Sequence, residues 1–545
     1  MIFMERKILF IITLLFLVSL NSITQSIPYL KKQGTAVQLI VDNKPFLILG
    51  GELGNSTAAD SMQIKAVFST LKIMKLNTVL VPVYWELIEP EQGEFDFSLI
   101  DILLSEARKE NLKLVLLWFG SWKNSMSCYA PSYLKINRSN FPYAETSDGK
   151  RNEIMSVFSN NNLTADKQAY VTLMQYLKTI DSKDNTVIMM QVENEIGMIP
   201  EAREKGVMAD RLFKSDIPEG LMNYLNTNRK TLHTHLFNKW SSSGFSLKGN
   251  WETIFGNDVF TEEIFQAWHF ARYTEEVAKA GKAVYNLPVF VNAALNTRDR
   301  KPGEYPSGGP LPHLFDVWRA GAPSIDFFAP DIYDPPFAYW CKQYDVKGNP
   351  LFIPETLRGD HTAARVFYVF GEHNTIGFCP FSIESTDKPI EESLVKSYEL
   401  LEQLSPVLSS VQGKNKTKGF WFHSQNLSDT VRLGEFIFYV SHDYTLGWSP
   451  GSKQTKVEWP ETGALIIQMS DSDYIVVGTG VVIRCVSINQ PKKKSVGILS
   501  CDKGRFEDGK WIPVQRLNGD ETHQGRHVRI PFGDFDIQRF SLYKY

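Results

Sequence analysis

Three observations predict an α/β protein built as a (β/α)8 TIM barrel followed by a smaller all-β C-terminal domain, a β-sandwich. Eight short apolar runs recur over roughly 370 residues with helical patterns between several of them, the alternation expected of parallel βα units. Near residue 408 the pattern changes to short alternating strands separated by turn residues. Two of the eight runs end in glutamates, at Glu195 and Glu355, and strand ends are where a parallel barrel gathers its chemistry.

In chain order, Arg6 and Lys7 precede an apolar run over 8–20 and small or polar residues to Ser26, which reads as a secretory signal peptide over 1–26. That run is short for a membrane span, and no later stretch approaches about 20 uninterrupted apolar residues, so no stable membrane insertion is expected. The periplasm, or secretion beyond it, is the expected destination. The barrel should occupy 27–408, with strands at 46–50, 78–84, 113–119, 186–192, 288–292, 326–332, 351–354 and 375–379. Helical patterns lie at 63–74, 99–110, 167–178 and 261–280, and long insertions follow the third and fourth strands at 121–162 and 200–261. A helix-like run over 391–407 leads into a polar segment, 409–416, that reads as a linker. The β domain then spans 409–545, with strands such as 464–468, 474–477 and 481–486.

Composition narrows the function. Hydrophobic residues at 43% and charged residues at 22% indicate a globular chain, and a net charge of -3 without clustered cations argues against a nucleic-acid partner. The Lys492-Lys493-Lys494 tract reads as a solvated turn. The 12 Trp suit sugar stacking as well as core packing. Five dispersed cysteines make no disulfide framework, although Cys485 and Cys501 are placed to bridge neighbouring strands; buried free thiols are the alternative. The ten histidines show no zinc spacing, and neither a metal nor a cofactor is required.

The run Met190-Gln191-Val192-Glu193-Asn194-Glu195-Ile196-Gly197 ends the fourth strand, and Leu351-Phe352-Ile353-Pro354-Glu355-Thr356 ends the seventh. On opposite sides of one pocket, two carboxyls can flank a glycosidic bond: one protonates the leaving oxygen and the other attacks the anomeric carbon. Retention by this route expects the carboxyls about 5 to 5.5 Å apart. Glu195 is read as acid/base and Glu355 as nucleophile, with repulsion from Glu355 keeping Glu195 protonated until the sugar esterifies Glu355. Asn194 is placed to bind a sugar hydroxyl, and Tyr333, ending the sixth strand, to donate to Glu355. Glu193 lies two residues before Glu195, on the same side of an ideal strand, and rivals it as the acid. Tyr333 and Tyr84 fit a core role as well as a substrate contact, and Trp85 fits packing better.

The segment Gln191-Val192-Glu193-Asn194-Glu195-Ile196-Gly197 closely resembles the acid/base motif of glycoside hydrolase family 35, the β-galactosidases of clan A. Val81-Pro82-Val83-Tyr84-Trp85-Glu86-Leu87-Ile88-Glu89-Pro90 and Gly93-Glu94-Phe95-Asp96-Phe97 look like the family's second strand and following turn. The resemblance, over roughly residues 35–400, implies that Glu195 rather than Glu193 is the acid/base, that Glu355 is the nucleophile and that Tyr333 is the strand-six tyrosine. It implies a retaining exo-β-galactosidase acting on plant oligosaccharides or polysaccharides, with the β tail resembling the accessory domain of bacterial members. One segment departs: where the family reads Gly-Pro-Tyr-x-Asn-Ala-Glu, this chain reads Gly120-Ser121-Trp122-Lys123-Asn124-Ser125-Met126. Asn124 is kept as a substrate contact, the sugar-contacting glutamate becomes Met126, and a divergent branch with its own preference, such as galactosylated xyloglucan, is implied. The competing readings are a clan A glycosidase for another β-glycoside and a carbohydrate-binding protein that has lost catalysis; loss of either glutamate would mark the latter, and both are present.

Overall fold

The computed structural model describes residues 26–296, 299–333, 335–488, 495–507 and 509–545. The expected signal peptide, up to residue 25, and the Lys492–494 tract lie outside the described residues. The first element is a three-stranded antiparallel sheet, β1 (Tyr29–Gln33), β2 (Ala36–Val41) and β3 (Lys44–Phe46), inside the span expected to be all barrel. Its second turn is Asp42-Asn43, both at positive φ, the two-residue turn whose twist matches a hairpin.

Eight parallel strands then close a barrel in sequence order: β4 (Ile48–Glu52), β5 (Thr78–Tyr84), β6 (Lys113–Lys123), β9 (Val187–Asn194), β10 (Val289–Ala294), β11 (Phe327–Ile332), β12 (Ile353–Thr356) and β13 (Gly377–Pro380). A small hairpin, β7 (Tyr143–Glu145) with β8 (Arg151–Met155), interrupts the connection between β6 and β9. Each barrel strand overlaps one of the eight apolar runs. The strands are buried along almost their whole length, because packed side chains fill the barrel inside and helices cover it outside. The third strand runs to Lys123, four residues beyond the expected end, so Gly120 to Lys123 is strand rather than loop. Gly120 permits this: a Cβ there would sit 2.5 Å from Trp118 Nε1 and 3.1 Å from Glu193 Oε1.

The C-terminal domain is a sandwich of two antiparallel sheets. One has the order β14 (Thr417–Phe422), β17 (Thr462–Gln468), β18 (Asp473–Thr479), β23 (Asp536–Lys544), β20 (Val496–Glu507) and β21 (Lys510–Arg516). The other has the order β15 (Ser428–Leu433), β16 (Phe436–His442), β19 (Val481–Ser487) and β22 (Val528–Ile530). Alternation in β17 and β18 assigns the two faces: Ala464, Ile466, Tyr474 and Val476 enter the sandwich core, while Leu465, Ile467, Ile475 and Val477 join the barrel's core. Cys485 on β19 and Cys501 on β20 therefore belong to different sheets, and all five cysteines are free thiols. Of the two readings of this pair, a bridge between neighbouring strands and free thiols, the structure has the second: the strands lie in different sheets.

The contact between barrel and sandwich is close. The helix Thr362–Glu372, which follows β12, lies on β14 and β17 where glycines remove the side chains between the backbones. A Cβ on Gly419 would fall 2.2 Å from the Tyr368 carbonyl oxygen, and one on Gly463 2.3 Å from that of Ala364. Arg365 on this helix holds Glu461 through two hydrogen bonds of 3.0 and 2.9 Å, and Trp421 Nε1 donates to the same carboxylate at 2.7 Å. The segment read as a linker is tied down as well. The helix Ser393–Val411 continues into it, Gln38 Nε2 donates to the Ser409 carbonyl at 2.8 Å, and Thr35 N–H donates to that of Gly413 at 3.2 Å. No described helix is long and apolar enough to cross a membrane.

A methyl group at Gly419 has no space, so Gly419→Ala should cost about 1–3 kcal/mol, read as an earlier urea midpoint. Gly220→Ala, in a helix with its nearest neighbour at 3.7 Å, should be neutral or stabilising.

Candidate active site

The C-terminal ends of β4, β6, β9, β10, β11 and β12 bring together Glu52, Lys123, Asn194 with Glu195, Asn292, Asp331 and Glu355, and Tyr333 follows β11 directly. At the end of β9 the backbone leaves the strand conformation, with φ of 59° at Glu193 and 47° at Glu195. For residues other than glycine this left-handed region costs on the order of 1–3 kcal/mol, and two side-chain bonds hold it here. The Trp122 N–H donates to Glu193 Oε2 at 2.9 Å, and the Glu195 N–H donates to Asn292 Oδ1 at 2.9 Å. Asn292 Nδ2 in turn donates to Asp331 Oδ2 at 2.6 Å, linking the fourth, fifth and sixth strand ends.

Glu355 is 5% exposed. Its Oε1 accepts a hydrogen bond from the Tyr333 hydroxyl, and its Oε2 has no partner among the described residues. Burial first, and then the charge of Glu195, push its carboxyl up to about 7; Lys123 and the Tyr333 hydroxyl pull the other way. Burial and the Glu355 charge push the Tyr333 phenol far up, so it remains a donor. Glu52 and Asp331, 1% and 2% exposed, are both raised well above the carboxylate range, by burial first and then by Glu355. Lys123 Nζ donates to Asn194 Oδ1 at 2.8 Å, and Asn194 Nδ2 is buried without a partner among the described residues. Glu195 is half-buried beside this group. A cleft of about 710 Å³ lies elsewhere, near the start of β11 against Asp316 and Arg319, and contains none of these carboxyls.

Several sequence expectations change. Glu193 is not a substrate contact: it is fully buried behind the barrel, against Asp166 of the helix Asn160–Asp181, because positive φ breaks the two-residue alternation with Glu195. Asp166 itself accepts from Trp118 Nε1 at 2.9 Å and from the hydroxyls of Ser121 at 2.5 Å and Tyr273 at 3.0 Å, so this is a structural polar cluster. Tyr84 is a packing residue, 3% exposed, edge-on to Phe119 and with its hydroxyl donating to the Asn55 carbonyl at 2.8 Å. Trp85 is fully buried, its Nε1 donating to Glu89. Asn124 caps its own turn, its Oδ1 accepting from the Met126 N–H at 3.1 Å, while its own N–H donates to the Asn194 carbonyl at 3.0 Å. The residue of the altered segment that enters the pocket is Lys123. Glu52, Lys123, Asn292 and Asp331 were not singled out from sequence. Glu52 does end an apolar run in a carboxylate, two residues past the expected strand limit, and Asn292 was the last residue of expected strand five.

A model of glycoside hydrolase family 42, described as beta-galactosidase, matches residues 56–241, which include Glu195 but not Glu355. A domain of unknown function, DUF5597, matches 394–529, the last barrel helix and most of the sandwich. A beta-galactosidase of Xanthomonas manihotis is 33% identical over 95 residues, 17% of this chain and 15% of that protein. Solved beta-galactosidases from Rahnella sp. R3 and Bacillus circulans sp. alkalophilus each align at a TM-score of 0.45 and 14% identity, covering 67% and 66% of this chain and 57% of each of theirs. The chain thus spans less than two thirds of the length of the relatives it matches. The structure is a closed eight-stranded parallel barrel with glutamates at the ends of its fourth and seventh strands, and its segment 56–241 is similar to the beta-galactosidase model of glycoside hydrolase family 42. The matching model is that of family 42, so the motif's likeness to family 35 does not single out that family.

The raised carboxyls predict a pH-dependent stability. A carboxyl whose folded value lies above its unfolded one, 4.5 for Glu355, contributes fully below that pH and loses its contribution as pH rises through about 7. Glu355→Gln should melt with the wild type below about pH 4.5 and above it at pH 7 to 8, by about 1–3 kcal/mol. Thermal melts across pH check this; a variant less stable than wild type at pH 8 contradicts it.

Proposed function

We propose that this chain is a retaining exo-β-galactosidase that removes terminal β-D-galactosyl residues from plant-derived oligosaccharides, galactosylated xyloglucan among them, in the periplasm. The observation that carries the proposal is Glu355: a buried carboxyl with one oxygen held by Tyr333, the other unpartnered, and Glu195 near enough for its charge to act on it. In this reading Glu355 Oε2 attacks the anomeric carbon as Glu195 gives its proton to the glycosidic oxygen, releasing the leaving alcohol and forming a glycosyl ester. Glu195 then takes a proton from water, whose oxygen displaces Glu355 and restores the β configuration. Asn194 Nδ2, unpartnered beside the acid, is the donor for a sugar hydroxyl whose bond tightens at the transition state. Galactose rests on the match to the beta-galactosidase model and on the motif's likeness to family 35. Another β-glycoside would use the same carboxyls.

An aryl β-glycoside panel (galactoside, glucoside, mannoside, glucuronide) tests the reading. Galactoside turnover by wild type, reduced at least about a thousandfold in Glu355→Gln, supports it; turnover of a different sugar alone removes galactose and keeps the mechanism. Glu195→Ala should lose about 10²–10⁴-fold on poor leaving groups, much less on activated aryl galactosides, and regain rate with azide.

The Tyr333 hydrogen bond lowers the carboxyl it touches. Removing it in Tyr333→Phe should therefore move the acid limb of kcat/KM, expected near pH 7, to higher pH. An unmoved limb would separate Tyr333 from the nucleophile.

A further inference from the structure

Four buried polar atoms at the mouth of the barrel have no partner among the described residues: Glu52 Oε1, Asn194 Nδ2, Asp331 Oδ1 and Glu355 Oε2. Buried polar atoms are almost always hydrogen-bonded, so four of them gathered at one mouth point to a ligand. Three of these side chains also make a hydrogen bond within the site: Asn194 to Lys123, Asp331 to Asn292 and Glu355 to Tyr333. Glu52 is the exception. It is 1% exposed, it ends β4, and no hydrogen bond to its carboxyl is made among the described residues. Glu384, on the neighbouring loop, is held differently: its Oε2 is also unpartnered, but its Oε1 accepts from the Gly54 N–H at 2.9 Å and from the Thr57 hydroxyl, pinning the loop after β4.

We propose that Glu52 is a substrate-binding residue, which with Lys123 forms an acceptor–donor pair for adjacent hydroxyls of the pyranose bound between Glu195 and Glu355. This rests on the glycosidase reading of the site. Lys123, 6% exposed, spends one of its three N–H donors on Asn194 and has others to offer. A vicinal diol, in which each hydroxyl both donates and accepts, satisfies a carboxyl and an ammonium together. The pair also explains the altered third-strand segment. Met126 stands at the position of the expected sugar-contacting glutamate but is 66% exposed, whereas Lys123 points inward; the carboxyl enters from β4 instead. Lys123 also offsets the charge that Glu52 adds beside Glu355 and Glu195.

The experiment compares wild type with Glu52→Gln on an aryl β-D-galactoside and its monodeoxy analogues, with melting temperatures and calorimetric binding of D-galactose, D-glucose and D-xylose. Glu52→Gln should lose about 10- to 100-fold in kcat/KM on the galactoside, and no more on the analogue that lacks the hydroxyl it holds. Taking a carboxyl away from its buried neighbours should raise the melting temperature. An equal loss on every analogue, a lowered melting temperature or failure to fold would make Glu52 structural and overturn the proposal. Binding of one of the sugars by wild type but not by Glu52→Gln, without galactoside turnover, keeps the binding role and rejects the galactosidase. Equal binding by both proteins, or no binding and no turnover by wild type, overturns it.

Discussion

Everything at the C-terminal mouth of the barrel depends on one electrostatic constraint: Glu355 is buried beside Glu52, Asp331 and Glu195, with Lys123 as the cation that offsets them. Like charges removed from water repel strongly and gain nothing from being folded, so the arrangement persists only if stronger forces elsewhere hold the strand ends in place. The parallel barrel supplies those forces. Its strands are buried on both faces, and their register fixes where each end emerges. Burial first, and then the same repulsion, raise the carboxyls of Glu52, Asp331 and Glu355 above the ordinary carboxylate range.

The second support is local. The left-handed turns at Glu193 and Glu195 separate two glutamates that an ideal strand would have put on one side. Glu193 goes outward to the Trp122 N–H and the polar cluster around Asp166; Glu195 remains at the mouth, its N–H on Asn292. Backbone strain, a buried polar cluster and the position of the acid/base candidate are thus one feature of the chain.

The third is the C-terminal sandwich. Its six-stranded sheet gives one face to its own core and the other to the barrel. The helix it grips by close backbone approach at Gly419 and Gly463 comes directly after the strand bearing Glu355. The domain therefore braces the side of the barrel that carries Glu355, and the polar segment before it, although linker-like in composition, is held by the N-terminal sheet.

Periodicity determined much from sequence alone. Parallel strands buried on both faces must be apolar throughout, so all eight barrel strands were legible as runs, and the two that end in glutamate marked the candidate catalytic carboxyls. The short apolar runs at 464–468 and 474–477 marked the β domain for the same reason, since β17 and β18 are buried on both faces. The first sheet was missed because its strands are short and its signal is a two-residue turn. Only the tertiary structure decided which side each strand-end residue faces and what it meets there. Glu193 and Glu195 look equivalent until φ changes sign between them and the strand. Lys123 looks like a loop residue until β6 is seen to carry it to the mouth. Glu52 looks like a turn residue until its burial next to Glu355 is known. A strand's pattern records how much of it is buried; which distant groups share that buried space depends on closure of the barrel, which no local stretch of sequence encodes.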